Sequence, residues 1–528
     1  MGLVQDLILP TRRPPVWPYL IEHSALFDGV DDCLSRTPVS AGDRRKWTFS
    51  LWPKLCRTAN QTVFAASTVG YYRFEVRHIN GAISVGQEEG NNNAPLSKVL
   101  DGAVDYTGLY HIVVSVDTAN AVAEDRVKVY INGTRRIQFS TNQNIPQNHD
   151  TFVNATVGHY FGCGFLPAVG GRYLFTQMYA SEFHFIDGQA LTPDAFGEWS
   201  DKVTGLWTPK AYTGTYGTNG CKLDFSNAAA LGDDVSGNGN NWTVNGAPVQ
   251  TLDTPTNNYC TLNALDKSSG TLLTRGNLMA EYPTGAHHAC RGTRSLPTAG
   301  KWYWECARLP GKTFIAGIGT GRASLVNYVG AEVHSYGYSG QDGLFYHPGF
   351  TTSSGVTLAE GDILGVAYDA DDATLVFYKN GVKITGGSGG FSAIPEDTWI
   401  PIVSNYSASA SFPGGTTMNF GATGFAYTPP EGFLPLSASA VPGGTVVLAG
   451  SYTGNGSADG PFVNTNCALE TLTIGVNAYN NDGTDNAVLL FFANGFKLVS
   501  GTDNANAVPY TWTGTLKYPF NTSNAQTN

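Results

Sequence analysis

Charge is scarce in this chain. Lys, Arg, Asp and Glu together make up 14% of 528 residues, against about 25% in ordinary soluble domains. The formal net charge is −11, without any block of like charges. A nucleic-acid partner requires a basic face, and the sequence offers none. No run of 18 apolar residues occurs, so no helical membrane insertion is expected. Helical periodicity is almost absent. The best helix candidate is Thr192 to Trp199, with Thr192 as N-cap and Pro193 at the first position. Cysteine is sparse as well: Cys33, Cys56, Cys163, Cys221, Cys260, Cys290, Cys306 and Cys467 contain no CxxC pair. That spacing suits neither a disulfide scaffold nor a zinc site, so most are expected to be small buried apolar residues. The first twenty residues, MGLVQDLILPTRRPPVWPYL, do not read as a secretory signal. Their apolar stretch is short, is broken by Asp6 and is followed by Arg12 and Arg13. A secreted adhesin is therefore not expected.

What the chain does have is glycine (63 residues), a 42% hydrophobic share, and polarity carried by Asn, Thr and Ser. This is the profile of many short strands joined by tight turns. At roughly 150 residues per domain, three or four domains are expected. One pattern recurs three times: VKVYINGTRRI (Val127 to Ile137), LVFYKNGVKI (Leu375 to Ile384) and LLFFANGFKL (Leu489 to Leu498). Each reads as a hairpin whose Asn-Gly pair tolerates positive φ at both turn positions. One copy in each of three segments supports a three-part division. The Pro-rich stretch Pro10 to Pro18 is expected to be an extended arm, since proline disrupts helices and central strands.

Two segments resemble known families. Between Ser24 and Gly246 the order of SALFDGVDDC, KWTFSLWPKL, LYHIVVSVD…VKVYINGTRRI and SEFHFIDGQAL resembles the laminin-G-like, concanavalin A-like fold. Phe27-Asp28-Gly29, Trp52, His111 to Val114, Asn132-Gly133 and Glu182 to Leu191 stand at its landmarks. Between Thr261 and Leu434, GKWYWECARL, EGDILGVAYD, the FYKNG hairpin and a closing NFG closely resemble the SPRY domain. The resemblances imply an all-β chain of tandem β-sandwiches, jelly-roll lectin-like and then SPRY-like. The expected divisions are an arm at 1–23, a first sandwich at 24–246, a linker at 247–260, a second sandwich at 261–434 and a small C-terminal β domain at 435–528. The joined pattern is similar to bacteriophage virion proteins of tail-fibre or minor structural type. That resemblance implies a homo-oligomer, often a trimer in fibres. It also implies contacts to a tail adaptor, portal or capsid, and a location on the virion after synthesis in the host cytoplasm. A capsid decoration or head-fibre protein and a virion-borne glycan depolymerase are the alternatives.

Several residues of chemical type also have plainer roles. Retaining glycosidases need two carboxylates about 5 Å apart. In SEFHFID, strand alternation puts Glu182 and His184 on one face and Asp187 on the other, so the pair is missing and no catalytic residue is assigned. His287-His288-Ala289-Cys290 supplies at most two ligands on one strand face, short of a structural zinc set. GGSGG (Gly386 to Gly390) lacks the following helix of a nucleophile elbow. YDADDATL (Tyr368 to Leu375) reads as a polar turn rather than a calcium loop. In EVHSYGYSGQDGLFYHPGF, Tyr336, Tyr338, Tyr346 and His347 are the candidate contact residues for a host surface glycan or protein, because aromatics among Gly and Ser make good contact surface. In LGDDVSGNGNNWTVNGAP, Asp233, Asp234, Asn238 and Asn240 are the candidate ligands for calcium. No other cofactor is expected. The plainer reading of that stretch is a turn, built on Gly237 and Gly239 and on side-chain capping by Asp and Asn.

Overall fold

A computed structural model describes residues 19–440, apart from 69, 91–92, 103–104, 167–170, 200–206, 284–285 and 406–413, together with the backbone of strands between 449 and 516. Among the described residues there is no α-helix, and the chain is all-β. Two large sandwiches follow one another. The first stacks two eight-stranded sheets, and the second stacks a seven-stranded on an eight-stranded sheet. The arm read at Pro10 to Pro18 lies outside the described residues. In the C-terminal segment the described strands form one four-stranded and one three-stranded sheet.

Strand alternation builds the first core. Lys46–Leu55 lies between Ile112–Asp117 and Gln177–Asp187, antiparallel to both. Its odd positions Trp47, Phe49, Leu51 and Leu55 enter the space between the sheets, as a period of two requires. Its even positions Thr48, Ser50, Trp52 and Lys54 point the other way, yet they are buried too. Phe196, Tyr212, Tyr216 and Trp207, from the segment after this sheet's long strand, pack over that outer face. Phe196 is pulled into a cluster with Val113, Tyr130 and Ile186. The expected helix at Thr192 to Trp199 is therefore only a turn of 3-10 helix at Pro193–Ala195, followed by strand Gly197–Trp199. Thr192 makes no side-chain cap bond.

Pairing carries the first sandwich past residue 246. Thr243–Asn245 pairs with Cys33–Arg36 in one sheet, and Val249–Thr251 pairs with Ser24–Asp28 in the other. The second sandwich runs from Leu262 to Leu434–Pro435, a short strand that lies parallel to Lys301–Arg308. Two Asn-Gly pairs adopt the expected turn. Asn132 and Gly133 have φ of 47° and 76°, and Asn380 and Gly381 have φ of 49° and 78°. In the third hairpin Phe492 pairs with Gly495, which puts Gly495 in a strand. The cysteines are mostly buried and free, as expected, with one disulfide that the spacing did not indicate. Cys33, at the start of strand Cys33–Arg36, and Cys163, in the bend after strand Gly158–Phe161, form a disulfide across 130 residues, while Cys56, Cys221, Cys260, Cys290 and Cys306 are free and buried.

Candidate binding face of the second sandwich

The four aromatic candidates separate onto different surfaces. Tyr336 and Tyr338 lie two apart on strand Ser335–Ser339, so both turn toward the core. Tyr338 is fully buried, and its hydroxyl donates to the Val356 carbonyl. Tyr338 is thus a core residue and not contact surface. Tyr336 is 8% exposed and stacks on His347, with ring centroids 4.0 Å apart and planes 8° apart. That pair closes one rim of the sandwich against Phe391 and Trp399. On strand Leu344–His347, Phe345 occupies the core, so Tyr346 points to the opposite, outer face.

On that outer face Tyr346 meets a residue that the sequence reading missed. Tyr328 packs against it edge-on at 5.6 Å, and His287 packs against Tyr328 at 5.2 Å. Ala289, Ile315, Ala323, Val329 and Ile402 form a small buried floor beneath them. The Tyr346 hydroxyl donates to Asp342 at 2.9 Å, which fixes the ring. Gly330, at φ 89°, lets the backbone pass Tyr346 so closely that a Cβ would lie 2.3 Å from the Tyr346 carbonyl oxygen. On the same loop Val326 and Val333 are 74% and 63% exposed. Half-buried rings on an apolar floor, edged by exposed valines, offer contact area on ring positions already fixed by packing, so little entropy is lost on binding. Burial holds the His287 pKa below its ordinary value, so a neutral ring is presented near pH 7. The signal for Tyr328 was present in LVNYVGAEV as an aromatic two residues before a glycine. Only the fold shows that this loop lies against Tyr346.

The metal-candidate stretches are satisfied by protein groups. Asp234 accepts hydrogen bonds from the backbone N–H groups of Lys222, Ser236 and Asn240 at 2.7 to 2.9 Å. Asn238 and Asn240 turn their amide nitrogens toward the carbonyls of Gly217, Thr218 and Gly220, and the Asn240 side-chain oxygen accepts from Arg36. Asp233 accepts from Asn227. A calcium site needs six to eight oxygens directed at one point. Here the Asp234 and Asn240 oxygens are directed at N–H groups and the amides act as donors, which suits the plainer reading of this stretch as a turn. The His288 ring hydrogen-bonds the Ser268 hydroxyl while the His287 ring packs on Tyr328, so the two imidazoles do not share a ligand position.

The stretch SEFHFID also departs from simple alternation. The register shifts between Ser181 and His184, with Glu182 at φ 45°. This bulge sends Phe183 and Phe185 into the core and leaves Glu182 and His184 together on the outer face. Glu182 pairs with Lys222 at 2.8 Å and with His184 at 3.3 Å. It also accepts from the Tyr19 hydroxyl. Burial works to raise its pKa, but the bonds to His184 and Lys222 outweigh that and hold it at about 2. A carboxylate so held is a fixed anion and is poorly suited to donate a proton.

Comparison with known proteins agrees with the geometry of the second sandwich. The SPRY domain family matches residues 301–421. Ran-binding protein 9 of Xenopus tropicalis and of Xenopus laevis is 35% identical over 126 residues, which is 22% of this chain and 23% of each relative's length. Among solved structures, the SPRY domain of human HERC1 is 17% identical, covering 31% of this chain and 94% of its own, with a TM-score of 0.23. A heptameric SAP-like pentraxin from Limulus polyphemus is 16% identical, covering 33% and 80%, with a TM-score of 0.26. The family match and the observed strands together establish that residues 301–421 form a SPRY domain.

Proposed function

We propose that this chain is a non-catalytic binding and structural protein, a bacteriophage virion component of tail-fibre type that contacts the host surface through its SPRY domain. The reading is carried by the outer face of that domain, where Tyr346, Tyr328 and His287 lie on an apolar floor beside exposed Val326 and Val333. The phage setting rests on the order of lectin-like sandwich, SPRY domain and C-terminal β segment along the sequence. The likeness to Ran-binding protein 9 covers 22% of this chain and 23% of that protein, so it does not extend to the whole chain. A depolymerase is the weaker reading, because Glu182 is 2% exposed and neutralised by Lys222. The partner class is a host surface glycan or protein.

The test uses the whole protein, fluorescently labelled, on intact host cells. Tyr328→Ala combined with Tyr346→Ala is expected to weaken binding at least tenfold, the loss of about 1.4 kcal/mol or more that two contact aromatics carry. Unchanged binding by a folded double variant would remove the SPRY face as the contact surface. Antibody labelling of purified particles at the head or between particles, instead of at the tail, would replace the tail-fibre assignment with a decoration protein or a non-virion protein respectively. Release of new reducing ends from host polysaccharide would favour the depolymerase.

A further inference from the structure

Two domains in one chain move relative to each other unless their interface is large and well packed. The junction here is built in the opposite way from a flexible linker. Lys54, on the outer face of strand Lys46–Leu55, is fully buried and pairs at 2.6 Å with Asp253, which is also fully buried. Its ammonium also donates to the Asn258 side chain at 2.8 Å and to the Tyr259 carbonyl at 3.3 Å, and it sits 5.0 Å over the Tyr179 ring. A single lysine of the first sandwich is thus ligated by three residues of the connecting segment.

That segment is held from the other side as well. The Leu252 N–H donates to the carbonyl of Ala422, and the Cys260 N–H donates to that of Leu436. Tyr259 forms a bridge with Ser437. Direct bonds cross between the sandwiches: Tyr179 donates to the Gly276 carbonyl at 3.0 Å, and Gln177 donates to Asn277. A Cβ added at Gly276 would lie 2.5 Å from Leu26 and 2.7 Å from the Tyr179 hydroxyl, so there is no slack between the two bodies. The N-terminal segment joins the same knot. Ile21 packs on Trp52 and Trp207, its carbonyl accepts from Thr256, and the Tyr19 hydroxyl is bonded by Glu182 and Lys222.

We propose that the Lys54–Asp253–Asn258 knot locks both sandwiches and residues 19–23 into one rigid body, so that the segment Tyr19–His23 is held at a fixed angle to the outer face of the SPRY domain. A buried ion pair serves this purpose because it is intolerant of displacement. Sliding either sandwich leaves a buried charge without its partner, whereas an apolar contact slides at little cost. A protein that docks by one end and binds by the other gains from such a lock, since a fixed geometry avoids the loss of orientational freedom that a flexible joint would incur on binding. The inference is independent of what the SPRY face binds.

The test is a distance distribution between spin labels on the full chain. Val39→Cys and Val382→Cys place labels at positions 100% and 71% exposed, one on each sandwich. Cys467→Ser removes the remaining cysteine that is neither disulfide-bonded nor described as buried. A single narrow distance is expected. Lys54→Met and, separately, the wedge Gly276→Val are each expected to broaden the distribution about twofold, as a released interdomain joint would. A broad distribution before either change overturns the proposal. So does a distribution that stays narrow in both variants. Should Lys54→Met not fold, the wedge and the parent protein still decide.

Discussion

The two sandwiches share an architecture and solve its interior differently. The second fills its core with interleaved aromatics: Tyr338 stacks with Phe377, Phe345 meets Phe391, and Trp302 and Trp304 are fully buried. The first also has an aromatic core, but it buries four imidazoles, His78, His111, His159 and His184, and carries the disulfide. A sandwich held by aromatic packing responds chiefly to lost volume. A sandwich that also buries imidazoles, which titrate near neutral pH, and a cross-link responds to protons and reductant as well.

That contrast can be broken in three ways. The largest expected effect is in the second sandwich, where Tyr338→Ala should cost about 3–5 kcal/mol, the usual toll for truncating a fully buried aromatic. Tyr346→Ala, on the outer face, should cost less than half as much. Urea unfolding of the two variants checks the assignment of one tyrosine to the core and the other to the contact surface, and equal costs would undo it. Next comes the disulfide. Replacing Cys33 and Cys163 by serine should lower stability by about 2–4 kcal/mol, because the bond closes a long loop in the unfolded chain. Reductant should lower the melting temperature of the parent and leave that of the double variant alone.

The smallest effect concerns pH. Burial lowers the pKa of His111 from 6.5 to about 3 and that of His159 from 6.5 to about 4. Below pH 6.5 the unfolded chain therefore takes up protons that the folded chain refuses, and stability falls as pH drops toward 4. Between pH 7 and 5.5 each histidine should remove about 1 kcal/mol. His159→Gln should flatten that slope by about its share, measured by urea unfolding at several pH values. Glu182 adds a second window. With its pKa held at about 2 against an ordinary 4.5, its contribution is full above pH 4.5 and is lost as pH falls toward 2.

Much of the fold was legible because its signals are local. The strands of the SPRY domain and the Asn132-Gly133 and Asn380-Gly381 turns follow from alternation and from the positive φ those residues tolerate. The expected helix at Thr192 to Trp199 failed because Phe196 found a buried cluster to fill, and tertiary burial outweighs a capping preference. The stretch with the candidate calcium residues takes the geometry of its plainer reading, a turn. Asp234 and Asn240 have the residue types of a calcium ligand set, but their oxygens are committed to N–H groups that folding brings to them.

The sequence by itself determined that this chain is built of strands, that two sandwiches follow one another and that the second is of SPRY type. The first property rests on periodicity and turn chemistry, which act over a few residues; the other two rest on the resemblance of short motifs to known families. Only the tertiary structure decided which aromatics face outward, since Tyr338 and Tyr346 read alike in sequence and differ by the sheet face they occupy. It also decided that Cys33 meets Cys163, and that Lys54 finds Asp253 across 199 positions of chain. Both contacts are long-range, and their partners are chosen by where whole sheets come to rest, which no local pattern encodes.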